Sequence, residues 1–305
     1  MSRPRLTPGE MWPAGVAGIT ARLVSLASGV RVRVVEGGPT AGPPVLFVHG
    51  WACSAYLFSR NIGPVAAAGY RALALDLVGH GLSDKPVIRG RYTLDAMVGD
   101  VFGALDALGL ERATLVGQSM GGRIALEVAL RAPERVSALV LFNSVGLARV
   151  RVLPLLRAAS ARVLAPLAPH VAFRWVFWLG LRGARGRLAA PTPRDVDEYW
   201  APSQFGGYAL AMHALLREFD WGATSYARLS RLRAPSLVVL GTMDRLVRLP
   251  ALDALRRAAP AVTNVVLVEG AGHAVNEEAP EEANRAVAEF LEARHAGIAR
   301  VTSTG

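Results

Sequence analysis

The chain has 305 residues and one cysteine, Cys53. That excludes an internal disulfide framework and any metal site built from several thiolates, and it suits a reducing compartment. Lysine is as scarce: Lys85 is the only one, so the formal net charge of +10 is carried by arginine. Acidic residues are missing from Ser144 to Arg194, an interval that holds Arg149, Arg151, Arg157, Arg162, Arg174, Arg182, Arg185, Arg187 and Arg194. The basic excess is therefore local, and its bland reading is a solvated face. Also missing from MSRPRLTPGEMWPAGVAGIT is a continuous apolar stretch before a small-residue cleavage site, which predicts a cytoplasmic start. The most membrane-like run, Val163 to Leu181, is broken by Pro166, Pro169, His170 and Arg174, which argues against a spanning helix. No P-loop and no paired-histidine motif occurs, so neither a cofactor nor a metal is expected. No nucleic-acid recognition module accompanies the charge, so no nucleic-acid partner is expected either.

What remains is 52% hydrophobic and 19% charged, enough for one large core with an insertion. Ile19 to Leu26 and Val30 to Glu36 flank Ser28-Gly29 and read as a hairpin. The apolar run Val45 to Val48 reads as a strand covered on both faces. Then follow a helix over Ser54 to Ala68, a strand over Arg71 to Asp76, a helix over Thr93 to Leu108 and a strand over Ala113 to Val116. A helix over Met120 to Arg131 and a strand over Val136 to Phe142 complete this half. The pattern resumes with strand Ser236 to Leu240, a helix around Ala251 to Ala258, strand Asn264 to Val268 and a helix over Pro280 to Ala293. Such alternation implies an α/β fold, a mostly parallel sheet flanked by helices. Residues 1–144 and 230–305 are expected to form the core domain, residues 145–229 an inserted helical cap, and the tail after His295 a mobile end.

Within this frame, Gly117-Gln118-Ser119-Met120-Gly121 fits the G-x-S-x-G elbow, whose small residues permit a sharp strand-to-helix turn that projects the serine hydroxyl. A hydroxyl is a poor nucleophile at neutral pH and needs an oriented base. Asp244 lies just beyond the strand at Leu240, and His273 just beyond the strand at Val268. The order Ser119, Asp244, His273 is the one this architecture requires. Asp244 could instead cap a loop, but Asn143 and Ser144 stand where the alternative carboxylate would follow Phe142. His49 and His80 read as structural, Cys53 as a buried apolar thiol, and His170, His213 and His295 have no motif around them.

Beyond the elbow, Val48-His49-Gly50-Trp51, the segment from Asp76 to Asp84, and Gly270-Ala271-Gly272-His273 followed by Glu277, Glu278 and Pro280 all fall in order. On these motifs the chain resembles the α/β-hydrolase superfamily over nearly its whole length outside the cap and the N-terminal residues. The resemblance implies Ser119 as nucleophile, His273 as general base and then acid, and Asp244 as the group that orients the imidazole. It implies the backbone N–H groups of Trp51 and Met120 as an oxyanion hole. Dehalogenases and most epoxide hydrolases of the superfamily attack with an aspartate where this chain has Ser119. Hydroxynitrile lyases of the fold use a lysine near the site, and Lys85 lies in the wrong segment.

The expected reaction is cleavage of carboxylic esters of apolar, small-to-medium substrates by a monomer or weak homodimer. Lactonase, carbon–carbon bond hydrolase and perhydrolase remain open within the same triad. A low-turnover ligand-binding role is the alternative from another class. Aromatic residues crowd the insertion; most should form its own core, while Trp175, Trp178, Trp200 and Phe205 are the pocket candidates. Arginines interleaved with Leu, Val, Trp and Phe suggest contact with an anionic membrane surface.

Overall fold

The computed structural model describes residues 5–159 and 173–302, with the backbone alone at 158, 159 and 295–302. Arg162, Pro166, Pro169, His170 and the first part of the Val163–Leu181 run lie outside the described residues, as do the side chains from His295 onward.

Eight strands form one sheet: β1 (Ile19–Ser25), β2 (Arg31–Gly37), β3 (Pro44–Val48), β4 (Arg71–Leu75), β5 (Ala113–Gln118), β6 (Val136–Phe142), β7 (Ser236–Gly241) and β8 (Val262–Val268). Their spatial order is β1-β2-β4-β3-β5-β6-β7-β8. The hairpin pairs antiparallel, with Ile19 opposite Gly37 and Ser25 opposite Arg31, and β2 runs antiparallel to β4. Every pairing from β4 to β8 is parallel. The continuous apolar strands are covered on both faces, as expected of a parallel sheet. In β3, Leu46 and Val48 enter one core while Val45 and Phe47 enter the other. The same alternation splits β6 into Leu139 and Leu141 against Val140 and Phe142. Full burial of each such side chain contributes about 1.5–3 kcal/mol.

The helices of the core are α1 (Ile62–Ala67), α2 (Leu94–Ala107) and α3 (Met120–Arg131). Between β6 and β7 lie α4 (Leu153–Ala159), α5 (Arg174–Ala184), α6 (Pro193–Trp200), α7 (Tyr208–Glu218) and α8 (Tyr226–Leu229). After β7 come α9 (Leu252–Ala258), α10 (Val275–Glu278) and α11 (Pro280–Thr302).

Two helices depart from expectation. The helix expected over Ser54 to Ala68 is a 3-10 turn at Ala55–Phe58, capped by the Ser54 hydroxyl, followed by the short α1. The break has two causes: the Asn61 side chain is held by Asn284 and the Asn276 carbonyl, and Pro64, lacking an N–H, sits in the first turn of a new helix. The last helix, expected to end at Ala293, keeps a helical backbone to Thr302. The N-terminal residues are docked on the segment between β6 and β7. The Trp12 amide donates to Glu198 Oε1 at 2.7 Å, and Gln204 donates to the Leu6 carbonyl. No helix among the described residues is long and apolar enough to cross a membrane.

Candidate active site

Ser119 sits between the last residue of β5 and the first of α3 with φ 54° and ψ −118°, a conformation that costs a non-glycine residue energy and needs its surroundings to hold it. Those surroundings are tight. Its N–H donates to the Phe142 carbonyl at 3.0 Å, and its carbonyl accepts from Val145 and Arg123. A Cβ on Gly117 would lie 2.6 Å from the Gly122 Cα, and one on Gly121 would lie 2.0 Å from the Val48 carbonyl oxygen. Only hydrogen fits at either place, which accounts for the glycines of the motif.

From the ends of three strands, the side chains converge. The Ser119 Oγ is 2.8 Å from His273 Nε2, and His273 Nδ1 is 2.8 Å from Asp244 Oδ2. Since an ionised carboxylate only accepts, Nδ1 carries the proton and Nε2 is left to accept from the serine hydroxyl. Ser119 and His273 each retain 8% exposure, so the site is nearly dry yet reachable. Asp244 Oδ1 accepts from the Leu246 and Val247 amides, and Oδ2 also accepts from Asn143 Nδ2 at 2.7 Å. Burial pushes the Asp244 carboxyl up, but the His273 imidazole and these hydrogen bonds outweigh it and hold it below its ordinary value.

Facing the serine is the loop after β3. A Cβ on Gly50 would lie 3.1 Å from the Ser119 Cβ and 2.5 Å from Gln118 Oε1, so the loop can approach this closely only with glycine there. The N–H groups of Trp51 and Met120 donate to no acceptor among the described residues. Free donors beside a serine hydroxyl suit a developing oxyanion. The Trp51 indole is held by the Met212 carbonyl at 3.2 Å.

Neighbouring residues brace this arrangement. Buried His49 accepts from the Leu77 amide at Nε2 and faces the Gly50 carbonyl with Nδ1, which fixes the loop. His80 packs edge-on against it, centroids 4.8 Å apart. Burial lowers the pKa of both imidazoles, and both are neutral supports. Asp76 accepts from the Ala55 and Leu82 amides and ties the loop after β4 to the loop after β3. Lys85 donates to the Gly81 and Ser83 carbonyls, and burial lowers its pKa to about 8. Half-buried Cys53 has its thiol pushed up by desolvation, so it is protonated at neutral pH.

Three supports escaped the reading of the sequence. Gln118, read as a motif spacer, donates to the His273 carbonyl at 3.0 Å. Asn143, noted only as the absence of a carboxylate, bridges Asp244 Oδ2 to the Gly241 amide. Arg185, counted among surface-basic arginines, is 1% exposed and lies 3.0 Å from Glu277 Oε2 and 3.1 Å from Asp195 Oδ2. Around it, Tyr199 donates to Glu277 and Tyr56 to Asp195, while the His273 amide donates to the Ala184 carbonyl at 2.8 Å. Burial outweighs Arg185 and pushes the Glu277 carboxyl up to about 7. The end of α5 is thus locked to the histidine loop by buried charge. No local pattern distinguishes Arg185 from its exposed neighbours; only its pairing with distant carboxylates does.

The four pocket candidates are not brought together. Trp175 and Trp178 stand on the outer face of α5, 60% and 44% exposed, because Phe177 and Leu181 take the inward positions. Trp200 is buried with Arg5 over its ring, and Phe205 lies beneath Lys85 Nζ.

A parallel-centred sheet with a serine–histidine–carboxylate chain at the carboxyl ends of its strands defines a class of hydrolases. The chain belongs to the alpha/beta hydrolase fold family, whose sequence profile matches residues 43–280. It is 29% identical over 315 aligned positions to epoxide hydrolase A of Mycobacterium tuberculosis, covering 89% of this chain and 97% of that one. Over a shorter span of 123 residues it is 41% identical to 2-hydroxymuconate semialdehyde hydrolase of Pseudomonas sp., covering 40% of this chain and 42% of that protein. Among solved structures it is similar to a membrane phospholipase A, with TM-score 0.76 and 27% identity over 92% of this chain and 88% of the other.

Proposed function

We propose that the protein is a serine hydrolase that cleaves carboxylic esters of apolar, small-to-medium substrates through an acyl-enzyme, with no cofactor. The observation that carries this reading is the unbroken chain from the strained Ser119 hydroxyl through His273 to Asp244, with 2.8 Å at each link. His273 Nε2 takes the serine proton as Oγ attacks the ester carbonyl. The oxyanion is received by the N–H groups of Trp51 and Met120, each such donor contributing roughly a hundredfold or more in rate. The imidazolium, steadied by Asp244, returns the proton to the leaving alcohol, and water then repeats the sequence on the acyl group. Trp51 packs against the apolar cluster that holds Tyr208 and Met212, which favours apolar groups beside the serine.

Epoxide opening, the reaction in the name of the mycobacterial relative, is disfavoured by chemistry. Attack by a carboxylate on an epoxide gives an ester that water cleaves, whereas attack by Ser119 would give an ether that water does not. The same argument disfavours displacement of halide. Carbon–carbon cleavage is the second reading, favoured by the 41% identity to the semialdehyde hydrolase. A chain-length series of p-nitrophenyl esters, run on wild type and Ser119→Ala, tests the proposal. Serine-dependent turnover with a chain-length optimum supports it. Inert esters, with turnover of a vinylogous dicarbonyl instead, would transfer the assignment to carbon–carbon hydrolysis.

A further inference from the structure

The outer face of α5 inverts the usual pattern of a surface helix, which keeps polar residues toward water. Trp175, Val176, Trp178 and Leu179 are between 44% and 60% exposed, and Phe173 stacks near Trp175 with centroids 6.5 Å apart. Arg182 is exposed on the same helix, Arg187 just beyond it. Across the site, the strand-like pairing of Val150 with Val247 joins the stretch after β6 to the loop that carries Asp244. Arg149, Arg151, Arg245 and Arg248 project there, exposed and in no ion pair with a carboxylate among the described residues. One patch lies beside Asp244, and the other is carried by the helix whose last carbonyl, Ala184, holds the His273 amide.

We propose that this rim docks the protein on an anionic lipid bilayer, with the α5 tryptophans in the headgroup–acyl boundary and the arginines on lipid phosphates. Charge selects this occupant. Tryptophan is favoured at a bilayer interface, and exposed arginines without acidic neighbours are drawn to anionic headgroups. A second copy seated face to face on α5 would bring two surfaces of like charge together, and no acidic residue occurs from Ser144 to Arg194 to offset Arg182 and Arg187. Binding is read without turnover, so this inference stands or falls apart from the ester reading.

The test is co-sedimentation of the full chain with phosphatidylcholine vesicles, with and without phosphatidylglycerol, at low and high salt. The expected result is binding that requires phosphatidylglycerol and is released by salt. Each arginine near the surface contributes about fivefold to partitioning. Replacing Arg149, Arg151, Arg245 and Arg248 by glutamine should therefore weaken binding on the order of several-hundredfold. Trp175→Ser with Trp178→Ser should weaken it at low salt; should that pair fail to fold, the arginine set decides alone. Failure to bind, equal binding to both vesicle types, or unchanged binding of a folded variant set would overturn the proposal. So would a wild-type dimer that the tryptophan pair dissolves while no vesicle is bound.

Discussion

Asn143 offers a sharp test of the electrostatics at Asp244. It sits at φ 40°, a conformation that Asn and Asp both tolerate, and it is 2% exposed. Asn143→Asp changes neither shape nor backbone preference, but it sets a second carboxyl against Asp244 Oδ2 at the 2.7 Å where the amide now donates. Two carboxylates cannot both ionise there, so the pair must share a proton. Protonated, the new side chain donates as the amide did and still accepts from the Gly241 amide. The folded protein then retains a proton that the unfolded chain gives up near pH 4. With the folded pKa raised, the stability is present at low pH and lost as pH rises. The variant should lose about 1.4 kcal/mol relative to wild type per pH unit until the folded pair itself ionises. Urea denaturation of both proteins from about pH 5 to about pH 8 measures this. Asn143→Ala, which removes a bond to a charged acceptor, should cost about 1.5–3 kcal/mol without that slope. Parallel stability curves for Asn143→Asp and wild type would refute the reasoning.

Four further outcomes follow from other positions. Arg185→Met removes the cation beside Glu277, while Asp195 keeps Arg60, and should cost about 3–5 kcal/mol in urea denaturation; adding Glu277→Gln should recover part of it. Gly121→Ala should abolish the proposed turnover in a cell-free assay because its Cβ would meet the Val48 carbonyl. Gly99→Ala, on the exposed face of α2 with no atom within 4 Å of its Cβ, should gain about 0.5–1 kcal/mol in thermal melting. Cys53→Ala should keep most of its turnover in steady-state kinetics, since the thiol is protonated and no step is assigned to it.

The strands and the elbow were legible because each carries a local signature. A run such as Val45 to Val48 is apolar on both faces only if both are covered, and Gly117 and Gly121 flank Ser119 because their hydrogens touch backbone. The positions of Asp244 and His273 follow from strand ends in the same way. What stayed hidden depends on residues far apart in the chain. Arg185 and Glu277 meet across 92 positions, Asn143 and Asp244 across 101, and Gln118 and His273 across 155. The outward turn of Trp175 and Trp178 was equally unreadable. Aromatic content marks a helix as apolar but does not say which of its faces the core takes, and Phe177 and Leu181 took it.

In the proposed mechanism Ser119 carries the acyl group. Acid quenching of the protein during turnover of a p-nitrophenyl ester, followed by mass spectrometry of its peptides, tests this directly. A mass increase equal to the acyl group is expected on the peptide containing Ser119 and not in Ser119→Ala. An acyl group on another residue, or steady turnover surviving in Ser119→Ala, would contradict it.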